Sequence, residues 1–337
     1  MNATMLLEKQ IHYPVMLDQI LSIISPQHGG TFIDCTFGQG GYSKAILKYP
    51  KTKVFALDRD ELGEKYANNL LKKFPKRFNF IRNKFSNLSK IISPNLRPKA
   101  IIFDLGLSSL QLQDDKRGFS FNSKNFLNME MGINKFTAYD VVNNLDKKNL
   151  ANIIKILGDE KDGKRIANKI ELHRKNKPIR TSKELTEIVK LAKKNYNNFK
   201  KNPATKTFQA IRIFVNQELT ELVMGLLEAS KLLHKDGILI VISFHSIEDK
   251  IVKNFFKHHS NLKENSSRYL PLKENNFGLF NLKLRKPLIP GEKEINRNIN
   301  SRSAKLRYGI RTDTSFLYSK EFKKNFETYL KLEETRL

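Results

Sequence analysis

The stretch that most constrains the fold is TFIDCTFGQGGYS, Thr31 to Ser43. Thr31 to Cys35 suits a short buried strand. The chain must then turn through Phe37-Gly38-Gln39-Gly40-Gly41, where three glycines in four positions strip away Cβ atoms and open the backbone to close approach. Tyr42 to Tyr49 can follow as a helix whose first N–H groups point back at whatever the turn holds. Strand, glycine turn and helix begin a nucleotide-type α/β site, although such a turn also closes loops that hold nothing.

The rest of the chain supplies the partners of that unit. Ile11 to Ile24 predicts an opening helix with Pro14 in its first turn and an apolar face of Val15, Leu17, Ile20, Leu21 and Ile24. Val54 to Leu57 predicts a second strand ending at Asp58, the place where a nucleoside-binding α/β fold puts its ribose-hydroxyl acceptor. Asp58 or Asp60 could instead cap the helix Glu61 to Phe74; with two carboxylates, one can bind and the other cap. Phe78 to Arg82 is a third strand, and Phe85 beyond it suits either a nucleobase stack or the core. Ala100 to Phe103 is a fourth strand ending at Asp104. This alternation predicts a mostly parallel, doubly wound sheet.

After Asp104 the rhythm breaks, and the next clear strand is Gly237 to His245. One crossover helix needs only roughly 30 residues. The interval reads helical: Asp146 can cap Lys147 to Leu157, Asp159 to Arg174 continues the period, and Thr181 with Glu184 makes a capping box for a helix through Ala192. The predicted architecture is therefore a discontinuous, doubly wound α/β domain from 1–112 and 206–337, with an inserted helical domain at 113–205. Thr205 to Leu233 returns to the sheet as one long or two consecutive helices, with Phe208, Ile211, Val215, Leu219 and Leu222 as core. A last helix, Ser246 to His258, precedes a loose basic segment in which Arg302, Lys305, Arg307 and Arg311 form a cationic cluster, either for phosphate or as a solvated tail.

Three ligand-facing features thus lie at carboxyl ends of strands: the Gly38 to Tyr42 turn, Asp58 and Asp104. A dinucleotide asks for G-x-G-x-x-G to reach its pyrophosphate, but the run here is G-Q-G-G-Y-S. S-adenosylmethionine carries no phosphate and needs only close backbone near its amino acid and a ribose acceptor, so it fits better. Charge narrows the partner. Sixty-one Lys and Arg against 34 Asp and Glu give +27, which points to nucleic acid. A nicotinamide oxidoreductase on the same sheet would have no need of that charge. A single cysteine excludes a disulfide framework and a cysteine-built zinc site, and the seven histidines show no metal-ligand spacing, so no metal is expected. No run approaches 18 apolar residues and the N-terminus lacks a signal-peptide pattern, so no membrane partner and a cytoplasmic location are expected.

The motifs also carry a family resemblance. HYPVML (12–17), TFGQGGYS (36–43), FALDRD (55–60), FDLGLSSLQL (103–112), RGFSF (117–121), NPATKTFQAIRIFVNQEL (202–219), ISFHSIEDKIV (242–252) and RSAKLR (302–307) resemble, in order, the bacterial cytosine-N4-methyltransferases of 16S ribosomal RNA. The resemblance implies a Rossmann-like class I methyltransferase sheet with an inserted helical domain, S-adenosylmethionine as cofactor, and a decoding-centre cytosine of 16S ribosomal RNA within the small ribosomal subunit as target. It places cofactor contacts on Gly40, Gly41, Tyr42, Asp58, Phe85, Asp104 and Gln111. The chain departs from the family pattern at Cys35, where glycine is usual, at Tyr42, where histidine is usual, and at Leu110, which replaces a proline.

The implied reaction moves a methyl group from a sulfonium to an exocyclic amine whose lone pair is delocalised into the ring. The site must hold the base flipped out, align N4 with the methyl carbon and sulfur, and accept hydrogen bonds from N4. Asp104 is the best-placed acceptor, and holding the cofactor's methionine amine is the equal alternative. His245, at the fifth strand's end, is the second catalytic candidate, as a contact to base or phosphate or as a proton acceptor. Methylation at cytosine C5 needs a thiolate nucleophile, and Cys35 reads as a buried small residue instead. The rival class is a non-enzymatic RNA-binding ribosome-assembly factor, which would share the charge and be indifferent to the cofactor.

Overall fold

In the computed structural model, which describes residues 13–133, 136–193, 202–260, 278–317 and 320–335, apolar alternation resolves into one seven-stranded sheet. Strands β1 (Gly30–Asp34), β2 (Thr52–Asp58), β3 (Phe78–Arg82), β4 (Ala100–Asp104) and β5 (Ile238–Ser243) run parallel in the order β3-β2-β1-β4-β5. Two further strands, β6 (Phe280–Asn281) and β7 (Lys305–Arg311), complete the order as β5-β7-β6, with β7 antiparallel to β5. Side chains alternate between two cores, as period-two geometry requires. Ile33, Leu57, Ile101, Phe103 and Val241 face one. Phe32, Val54, Ala56, Ile102 and Ile240 face the other. A parallel sheet buried on both faces reads as near-continuous apolar runs, which is why β1 to β5 stand out in the sequence.

Helices α1 (Leu17–Ile24), α2 (Gly41–Leu47) and α3 (Glu64–Lys73) cover the second face through Ile20, Ile46 and Leu70. On the first face lies α4 (Leu88–Ile91), and α5 (Ser109–Gln113) starts the excursion after β4. The excursion holds α6 (Ala138–Asn144), α7 (Lys147–Leu157), α8 (Gly163–Arg174) and α9 (Ser182–Ala192). Asp146 accepts from the Lys148 and Asn149 N–H groups, and Thr181 and Glu184 form a reciprocal capping box. Helices α10 (Thr205–Asn216) and α11 (Glu218–Leu232) lead back to β5. Helix α7 packs on α8 and α10, so Ile154 and Val189 belong to the same apolar core as Phe214 and Phe103. The two returning helices are separate because Gln217 adopts a left-handed φ of 50°.

Four expectations are corrected. Pro14 does not open the first helix; α1 begins at Leu17 after a left-handed Met16. Pro14 packs instead on Gly41, where a Cβ would lie 2.2 Å from its Cγ. The segment from Asp159 joins its helix only at Gly163, because Asp159 has φ 49°. The helix Ser246–His258, here α12, is not the last: α13 (Glu292–Arg297), α14 (Lys320–Lys324) and α15 (Glu327–Glu334) follow. The basic segment around Lys305 is β7, not a loose tail. Its charges are neutralised locally: Lys305 and Arg307 both bind Asp249, at 3.0 and 2.8 Å, and Arg311 is buried. Of the predicted phosphate cluster, Arg302 remains exposed. Among the described residues, no helix is long and apolar enough to cross a membrane.

Candidate active site at the carboxyl edge of the sheet

A cavity of about 370 Å³ opens at the carboxyl ends of β1, β2 and β4, where the strand order reverses direction. This is the crevice that open α/β sheets use for ligands, and the volume falls within the range of small-molecule sites. Each of the three strands ends in an acid. Asp34 is fully buried, accepts the Ser43 hydroxyl at 2.7 Å and lies 3.4 Å from the Thr36 N–H. Burial lifts its carboxyl to about 6. Asp58 accepts the Gly38 N–H at 2.7 Å and the Asp60 N–H at 2.8 Å, and burial lifts it also to about 6. Asp60 caps the following turn through the Leu62 N–H. The division of labour expected for the two acids is thus half visible: Asp60 caps, and Asp58 faces the cavity while holding the glycine turn.

Asp104 has the most unusual surroundings. Its Oδ1 is shielded from solvent and has no hydrogen-bond partner among the described residues. Its Oδ2 lies 3.1 Å from the Tyr42 hydroxyl, which is itself 2.6 Å from the Val15 carbonyl. The one Tyr42 hydroxyl proton is shared between two acceptors, Val15 O and Asp104 Oδ2, the Val15 contact being the shorter. Burial raises the Asp104 carboxyl to about 8, with Asp34 and Glu248 pushing the same way and Tyr42 opposing. The folded, ligand-free protein therefore holds protons that the unfolded chain releases. Stability from such groups is full below the ordinary carboxylate range and is lost as pH rises through the folded value. Between pH 6 and 8, Asp104 should make the ligand-free protein less stable by at most about 1.4 kcal/mol per pH unit. Glu333, lifted to about 8 by burial, shares that window. Chemical denaturation across pH 6 to 8 should show the decline, and Asp104→Asn should make it shallower; an unchanged slope would contradict it.

The remaining predicted residues fall on different parts of the cavity. Gly41 and Tyr42 line it, Tyr42 buried. Gly40 is not among the lining residues; its φ of 73° makes the turn, and a Cβ there would strike the Phe37 ring at 2.6 Å. Phe85 lines the cavity and also packs edge-on against Phe103, ring centroids 5.1 Å apart. Gln111 reaches the cavity with its amide engaged: Oε1 accepts from the Ser108 N–H, and Nε2 donates to Asp60 at 2.7 Å. His245 also lines it, as N-cap of α12. Its Nδ1 accepts from the Glu248 N–H, and its Nε2 lies 3.1 Å from Glu248 Oε1. Cys35 is buried, and burial pushes its thiol well above the usual range, which suits no nucleophile.

A second wall was not legible in the sequence. Gln209 and Arg212 on α10, Glu218 at the start of α11 and Glu248 on α12 face the same cavity. Arg212 grips Glu218 with two parallel bonds, Nε to Oε1 at 2.8 Å and Nη2 to Oε2 at 2.7 Å. Glu248 is buried, yet His245, Arg212 and the Phe244 N–H outweigh desolvation and hold its carboxyl below the usual range. Ligand atoms of Glu218, His245 and Glu248 lie within 4.8 Å of one another, an arrangement metal ions use, but here Arg212 already neutralises Glu218. Asp34 was also missed, although an acid ending β1 is the same signal as Asp58 and Asp104. The lysine-rich loop 193–206, which its charge marks as a candidate RNA contact, lies largely outside the described residues; its ends are tied down by Lys193 to Glu160 and Lys206 to Asp159.

Comparison with known proteins follows the same line. A family profile described as "MraW methylase family" matches residues 9–311. A protein named ribosomal RNA small subunit methyltransferase H from Ehrlichia chaffeensis is 42% identical over 301 residues, spanning 88% of this chain and 98% of that one. A protein of the same name from Rickettsia akari is 42% identical over 303 residues, spanning 88% and 97%. Among solved structures, one titled as a putative rRNA-methylase from Clostridium thermocellum aligns with TM-score 0.39 at 12% identity, over 89% of this chain and 100% of that one. That likeness is too distant to transfer any residue's role.

Proposed function

The chain belongs to the MraW methylase family, and we propose from that premise how its site works. It is an S-adenosylmethionine-dependent methyltransferase of small-subunit ribosomal RNA, and its target is the exocyclic N4 of a decoding-centre cytosine in 16S ribosomal RNA. The observation that carries this reading is the unpartnered, solvent-shielded Oδ1 of Asp104 in a cavity bounded by a glycine turn and Asp58. An acid kept neutral by burial is stabilised by a cation that recharges it. The cofactor's amino-acid end is such a cation.

The residues present fit the cofactor. The Gly38 to Tyr42 turn and Asp104 would hold the amino-acid end, Asp58 the ribose and Phe85 the base, with Gln111 bracing Asp60 behind them. When bound, S-adenosylmethionine supplies an electrophilic methyl group on a positively charged sulfur. Asp104 and Asp58 fix the donor's direction, and the rigid turn excludes water from one side. His245, tied to Glu248, helps shape the wall that the incoming nucleotide meets, and a carboxylate on that wall accepts an N–H bond of the amine as it gains positive charge. The 113–205 helices act as a module bracing that wall, through α7 packed on α10. The net charge of +27 supports docking on the RNA of the small subunit in the cytoplasm.

The test is transfer of labelled methyl groups to small ribosomal subunits that lack the modification. We expect incorporation into small subunits and none into large subunits, weakening steeply as salt rises. Cofactor-independent RNA binding with no transfer would favour the assembly-factor reading.

A further inference from the structure

We propose that the Arg212–Glu218 ion pair reads the target base, and so selects cytosine over uracil; this rests on the methyltransferase reading above. The pair sits on the cavity wall with side chains only 14% and 11% exposed. Taking two charges out of water is costly, and a pair of apolar residues of similar size would pack there at least as well. Its position therefore calls for a partner that uses it. The bidentate grip fixes both groups in one plane. Each Glu218 oxygen takes one N–H from Arg212 and keeps a second lone pair. Arg212 Nη2, 2.7 Å from Oε2, carries a second N–H that points to the side of the pair where Oε2 keeps its free lone pair.

The wall thus presents an acceptor beside a donor. The cytosine edge presents N4–H, a donor, beside N3, an acceptor, which is the complement. Uracil presents O4 beside N3–H, which is the reverse and would face Glu218 with an acceptor. Glu218 accepting one N4–H also takes up part of the positive charge that the amine gains. The neighbouring Glu248 carboxylate is occupied by the Phe244 and His245 N–H groups, which leaves Glu218 as the freer acceptor. The break at Gln217, with φ 50°, is what lets α11 begin where Glu218 meets Arg212.

The test compares binding to small subunits carrying cytosine or uracil at the target position, together with methyl transfer and S-adenosylmethionine affinity. The wild type should prefer cytosine by at least about tenfold. In Glu218→Gln the amide can donate to O4, so the preference should fall to near unity, and transfer should fall by at least about 10²-fold. Cofactor affinity should be unchanged. The double variant Arg212→Met with Glu218→Leu guards against misfolding, since it leaves no unpaired buried charge. It should keep stability and cofactor affinity while losing transfer and base preference. Full transfer with intact preference in either variant would overturn the proposal. Loss of cofactor binding in both would assign the pair to the fold and overturn it equally. A wild type that methylates no small subunit would instead overturn the reading on which the proposal rests.

Discussion

Asp104→Ala should weaken S-adenosylmethionine binding by about 10²-fold, the scale expected when one partner of a buried, hydrogen-bonded charge pair is removed. The fold should survive, because among the described residues Oδ1 has no partner and Oδ2 meets only Tyr42, whose hydroxyl keeps Val15. Transfer at low cofactor concentration should fall in proportion and recover in part at saturation. The wild-type affinity should also depend on pH with a definite sign. Burial raises the free carboxyl to about 8, so binding a cation must release its proton. Affinity should therefore rise with pH between 6 and 7.5, by up to about tenfold per unit, while the cofactor's own amine stays protonated. Asp104→Asn should flatten that rise. Isothermal titration at three pH values checks both points. An alanine variant with unchanged cofactor affinity would remove Asp104 from the cofactor, and one with unchanged turnover would remove it from the site.

Asp60→Ala should destabilise the protein by about 3–5 kcal/mol, the usual result of leaving a buried cation without its partner. Asp60 is 3% exposed and takes four donors: Arg117 through Nη1 at 3.3 Å and Nη2 at 2.5 Å, Gln111 at 2.7 Å and the Leu62 N–H at 3.1 Å. Arg117 in turn holds the Glu130 carbonyl at 2.6 Å. One carboxylate thus fastens both the loop after β4 and the segment leading to α6 onto the end of β2. Losing it should cost stability and loosen the cavity wall that Gln111 supports. The double variant Asp60→Leu with Arg117→Met should recover much of the stability but not the position of Gln111. Denaturant midpoints measure the first effect, and cofactor affinity the second. An unshifted midpoint in Asp60→Ala, or a double variant no more stable than the single one, would contradict this account.

The contrast between these two acids shows what the sequence could convey. Asp104 and Asp58 were legible because each ends an apolar run that can only be a buried strand, and such ends converge on one edge of a parallel sheet. Asp60 was legible as one of two candidate caps; its grip on Arg117 depends on a segment 57 residues away folding back. The second wall was hidden for the same reason. Arg212, Glu218 and Glu248 lie in helices whose apolar spacing announces core, and their polar positions carry no period of their own. Gln217 breaks α10 from α11 with only Asn216 beside it, and no glycine or proline, to mark the place. Strand β7 was masked by its charges, since Lys305 and Arg307 resemble a solvated tail until Asp249 on α12 is seen to neutralise them. The two-residue β6 carries too short a pattern to be read at all.

The most direct test of the central claim is the identity of the methylated nucleoside. Small subunits lacking the modification would be incubated with the protein and labelled S-adenosylmethionine, digested, and analysed by mass spectrometry. The account predicts N4-methylcytidine from a single site. Methyl at cytosine C5, or on a ribose oxygen, would contradict it, because neither product places an exocyclic amine against the Glu218 carboxylate on the cavity wall.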